Sequence, residues 1–368
     1  MAVYTVSNTG GNINDGATYV GGVAPTSADT IVFTSTSGQL TVNTNFTIAG
    51  IDFTSYVNTI TMNAILTVNG NITLVSAMTI AGASKLVIST TSTMTSNGKT
   101  WSNSLDFTMT AGSQIVTLAD NWNVTGSVSF LTNTATFNGN KISISGSLSN
   151  NTNGGTTLFE LVGTGTWTSS NFRNSLTINT SGTITITGTL SYNTGTLTRM
   201  AGTVVTTGST LLINSSTTLN TNGINWNNVN IIAGTITNNS LLTINGTLTL
   251  ASSSNVVFAG THGFTTNSLS CITAGRTITF KDGVTYTVNS SLTLTGTSGS
   301  RITVNSSTTS YAYLTLAYGA TQNVTNTNAT WINSGGGDTI KSSFGTLSDT
   351  VNWEVGQGYW WLMFNNQN

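Results

Sequence analysis

The chain has 368 residues and a formal net charge of −1 from nine basic and ten acidic side chains, and only 5% of it is charged, against about 25% in an average soluble domain. Thr, Ser, Asn and Gly fill the positions that charges normally occupy, so the surface is hydroxyl and amide, with no electrostatic footprint for nucleic acid or an anionic membrane. With 37% apolar residues spread along the length, there is enough to bury a core, which excludes a disordered polar tract.

Taken from the start, Met1 to Gly16 has neither a basic n-region nor an apolar h-region, and the first lysine is Lys85. The expectation is a chain made in a cytoplasm without a signal peptide. Residues 1–35 are expected to form an N-terminal cap or attachment segment in which Pro25, the only proline, ends strand pairing. From there to residue 332 apolar and polar residues alternate with period 2, as in Leu66 to Leu74, Thr183 to Thr187 and Leu242 to Leu250. These are short strands with one buried face, rich in Thr, Val and Ile and punctuated by Asn-Gly, Thr-Gly and Ala-Gly steps. No stretch keeps a 3.6-residue period, and helix-forming Ala, Glu, Lys and Arg are scarce.

An imperfect internal repeat runs through this region: an aromatic residue, a polar step, an apolar strand and a small-residue turn ending in glycine. Copies begin at Trp101, Phe172, Trp226 and Phe264 and end at Gly112, Gly182, Gly234 and Gly275, which lie 70, 52 and 41 residues apart. Those gaps fit whole numbers of coils of about 20 residues with insertions. A sandwich would alternate tight hairpins with core strands. Here one phrase recurs in one direction, which predicts an all-β, right-handed parallel β-helix (β-solenoid) with capped ends, the helix occupying residues 36–332. About 14 coils would give a length of roughly 65 Å at the strand spacing. Residues 333–368 are expected to be a C-terminal cap or assembly segment, because Tyr359, Trp360, Trp361, Leu362, Met363 and Phe364 would leave a sticky patch if uncovered. That run, the longest continuous apolar one, is far short of the roughly 20 residues a membrane helix needs.

Two segments carry a resemblance. Ala17 to Phe33 resembles the opening of a β-helical family seen in bacteriophage structural proteins and in some bacterial surface proteins, and Leu292 to Val304 followed by Gly319 to Trp331 looks like the last coils of that family, ending near Asn352-Trp353. The likeness extends over most of the chain and its motifs describe coils, so no catalytic residues carry over. It implies a virion surface protein, a homotrimer by analogy with similar phage proteins.

Chemistry-bearing residues are few. Many β-helices cleave polysaccharides, and glycoside hydrolysis needs two carboxylates some 5 to 9.5 Å apart, but the ten acids are isolated in sequence and only Lys281-Asp282 places acid beside base. The Gly260-Thr-His-Gly263 step resembles a Gly-His-Gly loop of pectin-cleaving enzymes without their Asp pair or Arg-x-Lys, so His262, the only histidine, reads first as a turn residue. Cys271 is the only cysteine, so no intrachain disulfide or cysteine cluster can form, and it reads as a small buried hydrophobe. Outward Thr-x-Thr pairs at Thr183, Thr235, Thr247, Thr277 and Thr293 could order water and bind ice if they stacked regularly; otherwise they are strand-favouring surface residues. Trp101 and Trp226 read as corner packing before sugar-stacking platforms, and the long Asn/Thr/Gly loops Ser149 to Thr157 and Asn333 to Asp338 are open as to whether they make contacts.

The resulting expectation is a non-enzymatic bacteriophage virion component, displayed as a head or tail fibre, capsid decoration or spike. It needs no cofactor or metal, and its partners would be itself, other capsid or tail proteins and host surface glycan. A secreted bacterial adhesin and a glycan depolymerase are the alternatives.

Overall fold

A computed structural model describes residues 1–109, 114–130, 135–150, 153–155, 157–169, 172–251 and 254–356. The chain is all-β, a parallel β-solenoid, and the only helical piece among the described residues is a 3₁₀ turn at Gly16–Thr18. It forms two compact units, Met1–Thr185 with Met200–Thr203, and Ile186–Arg199 with Val204–Asn368.

In the first unit an eight-stranded parallel ladder runs in chain order through Val3–Thr5, Thr30–Val32, Gly50–Asp52, Ile72–Thr73, Ser92–Thr95, Ile115–Leu118, Ala135–Gly139 and Asn153–Gly155. A second ladder stacks Phe46–Ile48, Leu66–Val68, Leu86–Ile88, Leu105–Phe107, Val128–Phe130, Leu148–Asn150 and Gly165–Ser169. A third joins Thr100–Trp101, Trp122–Val124, Ile142–Ile144, Phe159–Leu161 and residues 176–178. Each strand pairs with one about 20 residues on, which is the coil length that the repeat predicts.

Period-2 alternation sets what each strand buries. Ile31, Ile51, Ile72, Met94 and Leu118 stand in register down the first ladder, all essentially inaccessible. Removing each such side chain from water contributes about 1.5 to 3 kcal/mol. Aromatic rings do the same on the neighbouring ladders. Phe107 and Phe130 stack with centroids 4.9 Å apart, Phe137 meets both edge-on, and Phe159 continues the column to Phe172.

At the start of this unit the chain folds back on itself. Val6 and Tyr19 form an antiparallel bridge flanked by hydrogen bonds from Ser7 N to Thr18 O (2.8 Å) and Val20 N to Thr5 O (2.9 Å). Pro25, which donates nothing, is buried just before Thr30–Val32 enters the ladder.

The second unit repeats the plan. One ladder carries Thr189–Tyr192, Thr210–Ile213, Asn228–Ile231, Leu242–Leu250, Phe264–Cys271, Thr285–Thr295, Thr321–Thr325, Ile340–Ser343 and Trp353–Gly356. The other stacks residues 196–198, Thr217–Asn220, Gly234–Asn238, Val256–Gly260, Thr277–Phe280, Ile302–Ser306, Thr327–Thr330 and Leu347–Ser348. Leu211, Val229, Leu248, Leu269 and Leu292 form the inward column of the first of these two ladders. Gly260 closes a corner at φ +92°, and a Cβ there would lie 2.3 Å from the Asn238 carbonyl oxygen of the coil below, so only glycine lets the two backbones meet.

The many asparagines have a structural use. Side-chain oxygens of Asn45, Asn71, Asn121, Asn228, Asn255 and Asn328 accept the backbone N–H of Ile65, Thr93, Lys141, Thr247, Thr277 and Thr346, each in the next coil, at 2.8 to 3.2 Å. A corner amide that the ladder leaves over is thereby satisfied without a charge.

Candidate functional site

The carboxylates were the residues most able to carry chemistry, and the structure assigns nearly all of them to joining coils or closing turns. Asp29 accepts from Ala2 N (2.7 Å), Thr26 N (2.9 Å) and the Thr26 hydroxyl (2.6 Å). The hydroxyl and the two amides hold its carboxyl down at about 2. Asp120 takes Ser96 N and Asn97 N on its two oxygens at 2.7 and 2.6 Å, and Asp338 takes Gly319 N at 2.7 Å. Asp15 caps the 3₁₀ turn through Ala17 N (3.0 Å), and Asp52 closes a turn on Thr54 N (2.9 Å).

Two further acids sit mid-strand on the outer face yet are nearly inaccessible, Asp106 at 5% and Glu160 at 8% exposed. Each is matched by a lysine from the preceding coil, Lys85 to Asp106 at 2.5 Å and Lys141 to Glu160 at 2.6 Å. Glu160 also accepts from Ser143 and Asn179 at 3.1 Å. Burial works against its charge, but Lys141, Asn179 and Ser143 outweigh it, so the carboxyl lies below its ordinary value. Among the described residues no carboxylate has another carboxylate as a recorded hydrogen-bond partner, and no three of His, Cys, Asp and Glu gather in one place.

The remaining sequence candidates fall as follows. His262 is exposed, its Nδ1 is 2.9 Å from the Thr261 hydroxyl, and its N–H bonds Asn238 O at 3.1 Å. Cys271 is buried, as its type suggests, and burial pushes its thiol up. Beside it Arg276, wholly inaccessible, donates from Nη2 to Ile231 O (3.3 Å) and Ile232 O (3.0 Å), two coils below, while Nε and Nη1 have no partner. Trp101 and Trp226 are buried to 1% or less, so packing is their role. Asn333 to Asp338 is a tight turn in which Asn333 Oδ1 accepts Gly335 N at 2.8 Å. Part of Ser149 to Thr157, and all of Tyr359, Trp360, Trp361, Leu362, Met363 and Phe364, lie outside the described residues.

The Thr-x-Thr pairs do not stack into a threonine lattice. In register, Thr247 and Thr249 meet Ser268 and Ser270, Thr235 and Thr237 meet Val257 and Ala259, and Thr277 and Thr279 meet Thr303 and Asn305. The one long pure column among the described residues, Thr243, Thr265, Thr287 and Thr315, belongs to none of those pairs. Around it the outer face is mixed hydroxyl and amide. An open hollow of about 260 Å³ on the neighbouring ladder is lined by Thr196, Thr218, Thr235 and Thr237 with Ser216.

Against this polar background one tile differs. Tyr311 and Tyr313 project from one coil, Trp331 and Asn333 from the next, with Tyr313 in register with Asn333. The Tyr311 and Trp331 rings lie 5.6 Å apart at 57°. Tyr313 is 39% exposed, and Tyr311 and Trp331 are half-buried. Every other described tryptophan is buried, namely Trp101, Trp122, Trp167, Trp226 and Trp353. Trp331 sits at φ +56°, a left-handed backbone that costs a bulky residue about 1 to 2 kcal/mol. The pattern Tyr-Ala-Tyr-Leu-Thr-Leu over 311–316 held the signal for Tyr311 and Tyr313, since inward Ala312, Leu314 and Leu316 send both rings outward; nothing in the sequence marked the Trp331 backbone.

Searches against protein-family models, curated proteins and solved structures each returned no match.

Proposed function

We propose that the chain is a non-enzymatic structural protein of a bacteriophage virion, displayed on the particle as a fibre, decoration or spike. The observation that carries this reading is the assignment of the carboxylates: Asp29, Asp120 and Asp338 tie backbone amides of neighbouring coils, and Asp106 and Glu160 are neutralised by lysines one coil away. Groups that an enzyme would aim at a substrate are here used to hold a stack together. The resemblance of Ala17 to Phe33 and Leu292 to Val304 to phage β-helical proteins supports the same reading, as does a nearly uncharged surface, which resists nonspecific association with nucleic acid.

Mass spectrometry of purified particles from the source, combined with the solution mass of the recombinant chain, tests it. The proposal expects the chain in the particles and a trimer in solution. A monomer absent from particles and recovered from culture fluid contradicts it and favours a secreted adhesin.

A further inference from the structure

We propose that the outward tile of Tyr311, Tyr313, Trp331 and Asn333 is a binding platform for a neutral polysaccharide. The inference deepens the display role proposed above and rests on it, because it names what the displayed surface touches.

Three observations point the same way. The first is placement. Among the described residues Tyr311, Tyr313, Tyr318, Trp331 and Phe344 gather most of the solvent-facing aromatic surface into residues 311–344, whereas elsewhere nearly every ring is turned inward. Residues i and i+2 of an outward strand face are about 7 Å apart and successive coils about 4.8 Å apart, so rings on two adjacent coils cover an area of about one pyranose ring. Aromatic faces accept the axial C–H groups of a sugar, and the tyrosine hydroxyls and the Asn333 amide are placed for its hydroxyls.

The second observation is backbone strain. Trp331 is held left-handed at φ +56°, where glycine would sit without a steric penalty and asparagine with a smaller one, as Asn326 and Asn352 do nearby. A purely structural turn has no use for an indole there, and strain in a bulky outward residue marks a position whose side chain is needed for something other than the fold.

The third is charge and space. The preceding coil offers Lys281 and Asp282, paired with each other, and Asp282 also accepts the Ser307 hydroxyl at 2.7 Å. Asp349, in the following coil, accepts the Ser348 hydroxyl at 2.7 Å. Lys281 is balanced by Asp282 and Asp349 keeps its charge, so these neighbours offer no net positive charge, which favours an uncharged partner over an anionic one. Gly283, whose N–H bonds Tyr311 O at 2.8 Å, has nothing within 4 Å of where a Cβ would lie, so the space over that edge is open.

The probe is native gel electrophoresis of the full chain in gels containing dextran, mannan, xylan or hydroxyethylcellulose. The expected result is retardation by at least one of them. Trp331→Gly and Tyr313→Ala should each bind roughly tenfold more weakly, the loss that one aromatic contact gives. Ile272→Ala, removing an exposed apolar side chain of another coil, should migrate as the unaltered chain. Wild-type mobility unaffected by all four polymers overturns the proposal, as does retardation of Trp331→Gly equal to wild type. A chain present in particles but unretarded sinks the platform and leaves the virion role standing; a chain retarded in gels but absent from particles does the reverse.

Discussion

The aromatic residues inside the first unit and those of the last coils of the second are used in opposite ways. From Phe107 through Phe130, Phe137 and Phe159 to Phe172, rings meet at 4.8 to 6.1 Å inside the first unit. In the last coils of the second, Tyr311, Tyr313 and Trp331 face out. Residue type alone does not decide which way a ring faces, since Tyr192, Tyr286 and Trp226 are buried and Phe344 is exposed. Parity along the strand does for Phe130, Phe159, Tyr311 and Tyr313, and an unusual backbone angle does for Trp331. The inward set should therefore govern stability and the outward set contact, and substitutions can test that division.

The largest effect belongs to Phe130→Ala. The ring is 2% exposed, stacked on Phe107 and edge-on to Phe137 and Phe159, so truncation should cost about 3 to 5 kcal/mol, read as a lower midpoint in guanidinium unfolding. Next comes Asp120→Ala, which leaves Ser96 N and Asn97 N without their acceptor. Two charge-assisted bonds of this kind predict a loss of about 1.5 to 3 kcal/mol, with Asp120→Asn recovering part of it, because the amide keeps one acceptor oxygen. An unchanged midpoint for either variant would show that the coils do not depend on these contacts.

A smaller effect appears with pH. The Asp29 carboxyl is lowered from its ordinary 3.8 to about 2, so the folded state binds its proton more weakly than the unfolded state. Its stabilisation is complete above pH 4 and disappears as pH falls toward 2. Melting temperatures of the wild type should decline more steeply across that window than those of Asp29→Asn, and parallel declines would remove Asp29 from the account. The smallest effect is expected for Trp331→Gly. Relief of the left-handed strain offsets the lost Tyr311 contact, and stability should stay within about 1 kcal/mol of wild type.

Much of this architecture was readable from the chain. Period-2 alternation announced the strands, and the phrase beginning at Trp101, Phe172, Trp226 and Phe264 announced coils of about 20 residues; all four aromatic residues are inward. Other features depend on partners a coil away, which sequence proximity does not reveal. Asp120 looked isolated because the amides it accepts lie 24 and 23 residues upstream. Asp106 and Glu160 occupy outward positions by alternation yet are buried, because lysines 21 and 19 residues earlier fold over them. The threonine pairs read first as strand-favouring surface residues, and the register puts Ser, Val, Ala and Asn beside most of them. The aromatic tile was half visible: alternation placed Tyr311 and Tyr313 outside, while Trp331 required a backbone conformation that no local pattern foretold.

The division between inward and outward rings is tested most directly by guanidinium unfolding of Phe130→Ala and Trp331→Gly beside the wild type. The account predicts a loss of about 3 to 5 kcal/mol for the first and a change within about 1 kcal/mol for the second. A Trp331→Gly midpoint that falls as far as that of Phe130→Ala would show that the outward indole belongs to the structure, and the account would be wrong.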